Sequence, residues 1–218
     1  MMPSVAQIAQ HRTIRLVPTC YYKPPVLRPL VDSDAELAIL ADLEGQTSAR
    51  VSSPSLLSDF EGWGRTFIDA AFRYTRTGGS RFNGEQRGAW YAAFDDQTAI
   101  AEVAYHRTRE LSYIGIFEDE AVYHALHASF IGRFHDIRDR PEFADCLHDD
   151  PSIGYRHGQE LAAKLIESES RGLIYPSVRH DGGTCLVAFQ PSAIQDVTPG
   201  ARWRLVWNGR PEWTVIAE

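Results

Sequence analysis

The chain has 218 residues, a hydrophobic content of 44% and a formal net charge of −7, from 22 basic and 29 acidic residues. This composition excludes wholesale disorder, and the acidic balance argues against a broad basic surface for nucleic acid. No apolar run approaches the roughly 18 residues of a membrane span, so we expect a soluble, cytoplasmic protein with no direct membrane or nucleic-acid partner. The three cysteines, Cys20, Cys146 and Cys185, form no CxxC pair, which argues against a disulfide framework and a structural zinc site.

The N-terminal third predicts one strand and one helix. Residues 13–17 form an apolar run that ends at Pro18 and predicts a strand, while residues 1–10 are expected to be a flexible N-terminus. Ser33 and Glu36 have the spacing of a capping box, and apolar residues follow at helical spacing, so a helix is predicted over 33–43. Residues 46–66 are rich in Ser, Gly and Pro and predict irregular structure. Residues 67–74 fit a short helix or a strand equally well.

The remaining elements mix strands and helices without a regular alternation. Two helices are predicted: one over 95–109, with Asp95 or Asp96 as its N-cap, and one over 154–170. Strands are predicted over 89–94, 122–130, 172–175, 185–189, 203–207 and 213–216. This irregular order predicts a single α+β domain over residues 1–218, not an alternating parallel array.

Two common kinds of catalytic site lack a signal in this chain. His124 and His127 lie three residues apart in a predicted strand, so their side chains point to opposite faces and cannot share a metal ion. There is no HExxH pattern, and we expect no metal site. The chain also lacks the GxSxG elbow of many serine hydrolases and the GxxxxGK[ST] loop of P-loop NTPases.

Three polar residues in the middle of the chain are candidates for a site. Arg81 follows a Gly-Gly-Ser turn, Tyr91 lies inside an otherwise apolar strand, and Glu102 interrupts an apolar helix whose neighbouring residues are small or aromatic. Each also has a plain structural explanation: a salt-bridged arginine, a core aromatic residue and an ordinary helix residue. No one of them supports a function by itself.

A second segment, YPSVRH-x-GG, places Ser177 directly after a predicted buried strand. Together with GGSRFNG around Arg81 and AIAEVAYH around Glu102, it resembles the RES-domain family, which is named for its Arg, Glu and Ser. The resemblance spans roughly residues 11–191 and matches those three residues to Arg81, Glu102 and Ser177. One departure is Phe82, where many members carry Trp after the arginine; an aromatic ring is retained.

The resemblance implies the toxin of a RES/Xre-type toxin–antitoxin pair. Such toxins act on NAD, which is consumed as a substrate, and they degrade it or transfer its ADP-ribose to a protein. The implied fold is similar to that of ADP-ribosylating toxins: a split, mainly antiparallel sheet with surrounding helices. The implied partners are a cognate Xre-like antitoxin and a protein acceptor of ADP-ribose.

The candidate residues suit this chemistry. Cleavage of the nicotinamide–ribose bond creates an oxocarbenium-like sugar, which a fixed carboxylate such as Glu102 stabilises. Arg81 and Arg15 offer charge-assisted donors for the diphosphate, and the ring of Tyr91 offers a flat surface for the pyridinium. The Ser177 hydroxyl offers a short hydrogen bond that fixes the substrate. No metal or second cofactor is required.

Three hypotheses about function follow from these residues and the resemblance. They differ in the acceptor of ADP-ribose and in whether the site is catalytic. The leading hypothesis is an ADP-ribosyltransferase toxin with Glu102, Arg81 and Tyr91 as catalytic residues and Arg15, Arg81, Tyr91 and Ser177 as NAD-binding residues. An NAD phosphorylase or hydrolase uses the same site with a different acceptor. A non-catalytic binding module with a degenerate pocket belongs to another class, and it would be expected to have lost part of the Arg–Glu–Ser set, which is complete here.

Overall fold

The computed structural model describes residues 1–21 and 63–218, together with residues 33, 36 and 39. The strands in this part of the chain are β1 (Ser4–Pro18), β2 (Trp90–Ala93), β3 (Glu118–Asp136), β4 (Gly172–Pro176), β5 (Thr184–Ala188), β6 (Gln195–Asn208) and β7 (Trp213–Ala217). The α-helices with described bounds are α1 (Arg65–Arg73), α2 (Asp96–Ile114) and α3 (Pro151–Glu167). Short 3₁₀ helices lie at Thr19–Tyr21, Pro141–Leu147 and Pro191–Ala193.

The strands form one sheet that is divided into two halves. Its order is β1-β2-β5-β4-β3-β6-β7, and β1 also pairs along its length with β3. Between the halves, β1 meets β2 only at Ile14↔Ala93, and β3 meets β4 only at His135↔Leu173 and Asp136↔Ile174. The β3–β4 pair is parallel and the other pairs of described strands are antiparallel. The predicted α+β fold with a split, mainly antiparallel sheet is confirmed.

Two hydrophobic clusters lie on the opposite faces of the sheet. The larger cluster lies beneath α2 and α3, and Trp207 joins it from β6 through a hydrogen bond of 2.9 Å from its indole nitrogen to Thr108 on α2. The second cluster includes Phe72 of α1, Trp90 of β2 and Phe130 of β3. Because successive residues of a strand face opposite ways, Trp90 enters the second cluster while Tyr91 faces the helices.

Helix α2 begins at its predicted cap but continues five residues past the predicted end at 109, to Ile114. The side chain of Asp95 accepts a 2.8 Å hydrogen bond from the Thr98 amide, which confirms Asp95 as the N-cap. The helix ends at Gly115, whose positive φ of 75° is readily adopted by glycine. The predicted helix over 154–170 corresponds to α3, which begins at Pro151 after the capping residue Asp150.

The N-terminus differs from its prediction. Residues 4–10 are not a flexible segment: they extend β1, with Ser4 opposite Asp136 and Gln10 opposite Phe130 of β3. The pairing partner is more than a hundred residues away in sequence, so the local pattern of 1–10 does not reveal it. Residues 67–74, which fit a helix or a strand, lie mostly in α1.

The helix predicted over 33–43 lies almost wholly outside the described residues. Its predicted capping box is present, since the Glu36 amide donates to Ser33 Oγ at 3.2 Å and the Ser33 amide donates to Glu36 Oε2 at 3.3 Å. The irregular segment predicted over 46–66 also lies outside the described residues as far as residue 62, and Arg65 begins α1. Among the helices that are described, none is both long enough and apolar enough to cross a membrane.

Candidate functional site

A cavity of about 230 Å³ opens where the two halves of the sheet diverge beneath α2. Four segments contribute most of its wall: β1, β2, α2 and the loop before β2. The polar and aromatic lining residues are Arg15, Arg76, Ser80, Arg81, Tyr91, Glu102, His106, Arg109, Tyr155, Tyr175, Arg179 and Cys185. Three of the predicted site residues, Arg81, Tyr91 and Glu102, therefore meet in one cavity, and Arg15 joins them.

One face of α2 supplies a continuous part of the wall. Ala99, Glu102, Val103, His106 and Arg109 recur at spacings of three and four residues, so their side chains lie on the same side of the helix. Ala99 and Val103 are the apolar members of this helix face, and Glu102 is its carboxylate. The carboxylate consequently reaches the cavity from a rigid helix and not from a loop.

The Glu102 carboxylate is held through one of its two oxygens. Ser177 Oγ donates to Oε1 at 2.7 Å, and Cys185 Sγ donates to the same oxygen at 3.8 Å. Oε2 has no hydrogen-bond donor among the described residues, so it is the oxygen available to a ligand. Among the described residues that line the cavity, Glu102 is also the only carboxylate.

Cys185 acts as a donor because its thiol stays protonated. Burial raises the pKa of Cys185 well above its ordinary value, and the negative charge of Glu102 raises it further. The neighbouring Tyr175 is also buried, and burial raises the pKa of its phenol. Both groups remain neutral at physiological pH, so the floor of the cavity adds no negative charge to that of Glu102.

Ser177 does not line the cavity but supports Glu102 from behind. Its oxygen accepts hydrogen bonds of 3.1 Å from the backbone amides of Arg179 and His180. With two N–H groups directed at its lone pairs, the hydroxyl hydrogen is left to point at Glu102. The hydroxyl expected to contact a substrate is thus engaged with the carboxylate.

Arg81 is anchored on one side and open on the other. Its Nη1 donates to the carbonyl oxygens of Cys146 at 2.8 Å and His148 at 3.0 Å, and the residue is only 8% exposed. Helix α3 approaches closely here, since a Cβ at Gly154 would lie 2.5 Å from Nη1. Nε and Nη2 have no acceptor among the described residues, which leaves two nitrogens of the guanidinium for a ligand.

Tyr91 presents its ring to the cavity while its hydroxyl holds the loop that carries Arg81. The hydroxyl accepts from the Phe82 amide at 2.9 Å and donates to Asn83 Oδ1 at 2.8 Å. Burial raises the pKa of this phenol, so it stays protonated as the donor to Asn83. The ring of Phe82 in turn packs against Tyr175, with 4.7 Å between the ring centroids.

Arg15 lies where β1 and β2 separate. Its Nη1 donates to the carbonyl oxygen of Tyr91 at 3.1 Å, and its guanidinium lies 4.9 Å from the ring centroid of Trp90. Burial is the main reason that the pKa of Arg15 is lowered to about 10; Tyr91 partly opposes this shift and the nearby Arg76 adds to it. The residue still carries a positive charge at physiological pH.

Three more arginines, Arg76, Arg109 and Arg179, line the cavity together with His106. Arg179 stacks on Tyr105, with 3.4 Å from the guanidinium carbon to the ring centroid, whereas Arg76 pairs loosely with Glu110 at 3.7 Å. Burial, followed by the charges of the surrounding arginines, lowers the pKa of His106 to about 3. The imidazole is therefore neutral, and its buried Nδ1 has no hydrogen-bond partner among the described residues.

Some of these residues carried a signal in the sequence. His106 and Arg109 lie four and seven residues after Glu102, the helical spacing that puts them on the same face. Arg76 and Tyr155 carried none, because they belong to a loop and a helix whose approach depends on the tertiary packing. His124 and His127 lie in β3, as predicted, and no cluster suited to a metal ion occurs among the described residues.

Comparison with known proteins shows one related family. No curated protein matches the sequence. Among solved structures, the chain is similar to one described as "Crystal structure of the M.tuberculosis MbcT-MbcA toxin-antitoxin complex", with 13% identity over 90% of this chain and 86% of that chain and a TM-score of 0.48. The model of the RES domain matches residues 60–208, a range that contains Arg81, Glu102 and Ser177 but begins after β1. The chain belongs to the RES-domain family.

Proposed function

We propose that the chain is the toxin of a toxin–antitoxin pair, and that it cleaves the nicotinamide–ribose bond of NAD and transfers the ADP-ribose. Membership of the RES-domain family supports this proposal. The observation that carries it is the cavity itself: among the described lining residues, one carboxylate, held by two donors on one oxygen, faces a wall rich in arginine. Such a site suits a ligand that has an anionic group and also a centre that becomes positive during the reaction.

Glu102 is the residue proposed to stabilise that positive centre. When the C–N bond breaks, the bonding electron pair leaves with nicotinamide, and the ribose carbon develops oxocarbenium character. The free Oε2 faces this charge, while Ser177 and Cys185 fix the orientation of the carboxylate. A carboxylate fixed before the reaction does not have to reorganise during it, which is the main source of electrostatic catalysis.

The arginines are proposed to bind the diphosphate. Arg81 offers the two nitrogens that face away from its anchoring carbonyls, and a planar guanidinium suits phosphate oxygens. Arg15 lies nearby in the same wall, and the ring of Tyr91 offers a surface for the pyridinium. The cavity is smaller than the roughly 300–1,000 Å³ usual for small-molecule sites, so we expect the adenosine to extend through its mouth.

The acceptor of the ADP-ribose distinguishes two candidate functions. The family resemblance favours a protein acceptor. Inorganic phosphate is the second candidate, because five of the described lining residues are arginines, more than a diphosphate needs: Arg15, Arg76, Arg81, Arg109 and Arg179. In either case the nucleophile forms the new bond to the ribose carbon, and its proton passes to solvent.

The test is to incubate the purified protein with NAD and to quantify nicotinamide. Parallel reactions with phosphate and with a cell lysate containing labelled NAD separate the acceptors: ADP-ribose phosphate indicates phosphate, free ADP-ribose indicates water, and labelled proteins indicate a protein acceptor. Glu102→Gln is the matched control in each reaction. Binding of NAD without any nicotinamide release would contradict the proposal and would indicate a non-catalytic binding module.

A cognate Xre-like antitoxin is the proposed partner. An enzyme that consumes NAD has to be restrained while the cell grows, and the basic wall of the cavity attracts an acidic segment as readily as a diphosphate. The antitoxin is therefore proposed to cover the mouth of the cavity.

A further inference from the structure

The loop 177–183 connects β4 to β5 and brings Ser177 to Glu102. It contains all but the first two residues of the motif YPSVRH-x-GG, whose histidine has no role in the proposed chemistry. His180 does not line the cavity, and its side chain points instead toward the first turn of α2. The contacts of this side chain link the loop to helix α2.

Three side chains form a chain of hydrogen bonds between the loop and the helix. Thr98 Oγ1 lies 2.7 Å from Asp95 Oδ2 and 2.8 Å from His180 Nδ1. Thr98 is completely buried, so its hydroxyl has no access to bulk water. We call the set Asp95, Thr98 and His180 the latch.

The direction of each hydrogen bond in the latch follows from its donors and acceptors. The Asp95 carboxylate at the N-terminus of α2 accepts, so the single hydroxyl hydrogen of Thr98 goes to Asp95. The oxygen of Thr98 must then accept from His180, which places a hydrogen on Nδ1. All three groups are satisfied in this arrangement.

The latch acts on the same residue that supports Glu102. The backbone amide of His180 donates to Ser177 Oγ, and Ser177 Oγ donates to Glu102 Oε1. Both ends of this path rest on α2, since Thr98 and Glu102 are one helical turn apart. The loop therefore contacts α2 at two points: His180 binds Thr98 in the first turn, and Ser177 binds the carboxylate of Glu102 four residues further along.

We propose that His180 is a positioning residue, which holds the 177–183 loop against α2 so that Ser177 keeps the Glu102 carboxylate in its reactive orientation. This inference rests on the proposed function for its effect on rate, although its structural part is independent. Gly183 provides room for the latch: a Cβ there would lie 2.5 Å from Thr98 Oγ1 and 3.0 Å from His180 Nδ1.

The first test compares Thr98→Val with Thr98→Ser in nicotinamide release from NAD. Valine removes the hydroxyl but leaves the backbone bond from the amide of residue 98 to Asp95, so the helix cap persists. Thr98→Val should lower kcat up to about tenfold, the rate equivalent of losing the Thr98–His180 hydrogen bond, with KM nearly unchanged. Thr98→Ser should restore most of the rate.

His180 is tested in the same way by a second pair of variants. His180→Ala should match Thr98→Val, whereas His180→Asn retains an N–H group near the position of Nδ1 and should recover activity. In a Ser177→Ala background, Thr98→Val should lower kcat by less than about twofold, because the latch acts through Ser177. An undiminished, independent effect in that background would overturn the proposal.

A measurement that needs no activity separates this inference from the proposed function. The amides of Arg179 and His180 should exchange hydrogen about tenfold faster in Thr98→Val than in the parent, and at the parent rate in Thr98→Ser. This difference is expected even if the parent releases no nicotinamide, a result that would contradict the proposed function alone. Equal exchange in Thr98→Val and the parent would overturn the latch.

Discussion

At the scale of single residues, the two carboxylate oxygens of Glu102 differ: one is held by hydrogen bonds and the other is free of donors among the described residues. Oε1 is held by Ser177 and Cys185, while Oε2 is left for a ligand. Glutamine has nearly the same shape, and its amide oxygen still accepts from Ser177. The variant Glu102→Gln therefore removes the negative charge with little change to the packing.

We expect Glu102→Gln to lower kcat for NAD cleavage by about 10²–10³, the usual cost of losing one electrostatic contact to a transition state. The melting temperature should stay close to that of the parent. Glu118→Gln is the matched control, because Glu118 is exposed at the start of β3 and does not line the cavity. A folded Glu102→Gln protein with parental NAD cleavage would remove Glu102 from the mechanism.

Arg81 stabilises the fold through its hydrogen bonds, in addition to its proposed role in binding NAD. One nitrogen satisfies the buried carbonyl of Cys146 and also the carbonyl of His148, and a lysine in its place has no planar fork to serve both sides. Arg81→Lys should weaken NAD binding and also lower the free energy of unfolding by about 1–3 kcal/mol, the cost of an unsatisfied buried acceptor. Calorimetric titration and urea denaturation measure the two effects. Arg156→Lys, at an exposed position of α3, should change neither.

At the scale of elements, local sequence patterns predicted the helix cap and the strands that depend only on neighbouring residues. The cap of α2 at Asp95, the strand around Tyr91 and the buried strand before Ser177 depend on neighbouring residues, and all three are present. Tyr91 and Glu102 interrupt otherwise apolar segments and Arg81 follows a Gly-Gly-Ser turn, which is why these residues could be identified from the sequence although their meeting in one cavity could not.

The structural features that the sequence did not predict depend on residues that are distant in the chain. β3 begins at Glu118, four residues before its predicted start, where it pairs with Asn208 of β6, and Asp119 forms an ion pair with Arg107 of α2 at 2.7 Å. Glu120 pairs with Arg204 of β6 at 2.9 Å. Similarly, Arg76 enters the cavity from a loop, and no spacing in the sequence relates that loop to α2. The cavity wall could therefore be predicted along one helix face but not across elements.

The contact between α3 and the Arg81 loop gives a prediction about an element. Gly158 lies inside α3, where alanine usually stabilises a helix by about 0.5–1 kcal/mol. A Cβ at this position, however, would overlap the backbone oxygen of Arg81, and such overpacking costs about 1–3 kcal/mol. Gly158→Ala should thus destabilise the protein and reduce NAD cleavage by displacing Arg81.

Urea denaturation and nicotinamide release measure the effect of Gly158→Ala. Ala163→Gly, at an exposed position of the same helix, reports the intrinsic helix contribution alone and should lower the unfolding free energy without affecting NAD cleavage. A more stable Gly158→Ala protein with normal activity would show that α3 can move away from the Arg81 loop.

At the scale of the whole molecule, buried histidines link stability to pH. The pKa of His106 is lowered to about 3 by burial and then by the surrounding arginines, whereas an unfolded histidine titrates near 6.5. Between these values the unfolded chain binds the proton more readily, so stability falls as the pH drops below about 6.5. Burial also lowers the pKa values of His124, His127 and His135, which act in the same direction.

His106→Gln should make the protein less sensitive to acid. Glutamine stays neutral, so the variant should lose about 1 kcal/mol less unfolding free energy than the parent between pH 7.5 and pH 5.5. Urea denaturation at the two pH values measures this difference, and His157→Gln is a control outside the cavity. Parallel losses in the parent and His106→Gln would indicate that the His106 imidazole titrates normally.

The distribution of charge over the molecule leads to the prediction about the antitoxin. The chain carries a net charge of −7, yet five arginines and one carboxylate occur among the described residues that line the cavity. A locally positive cavity on an acidic protein directs anionic groups to one place, and a diphosphate and an acidic protein segment compete for the same donors. An antitoxin that used this attraction would exclude NAD.

We therefore expect NAD and the proposed antitoxin to bind the protein mutually exclusively. The Glu102→Gln protein, which should consume NAD about 10²–10³ times more slowly than the parent, allows NAD affinity to be measured by calorimetry for the free protein and for the purified complex. Blocking predicts at least a hundredfold weaker NAD binding by the complex, because a covered cavity has to be opened first. Undiminished NAD affinity in the complex would place the antitoxin on a face remote from the cavity. Inhibition would then have to act through the assembly of the complex. The assignment of Glu102 would be unaffected.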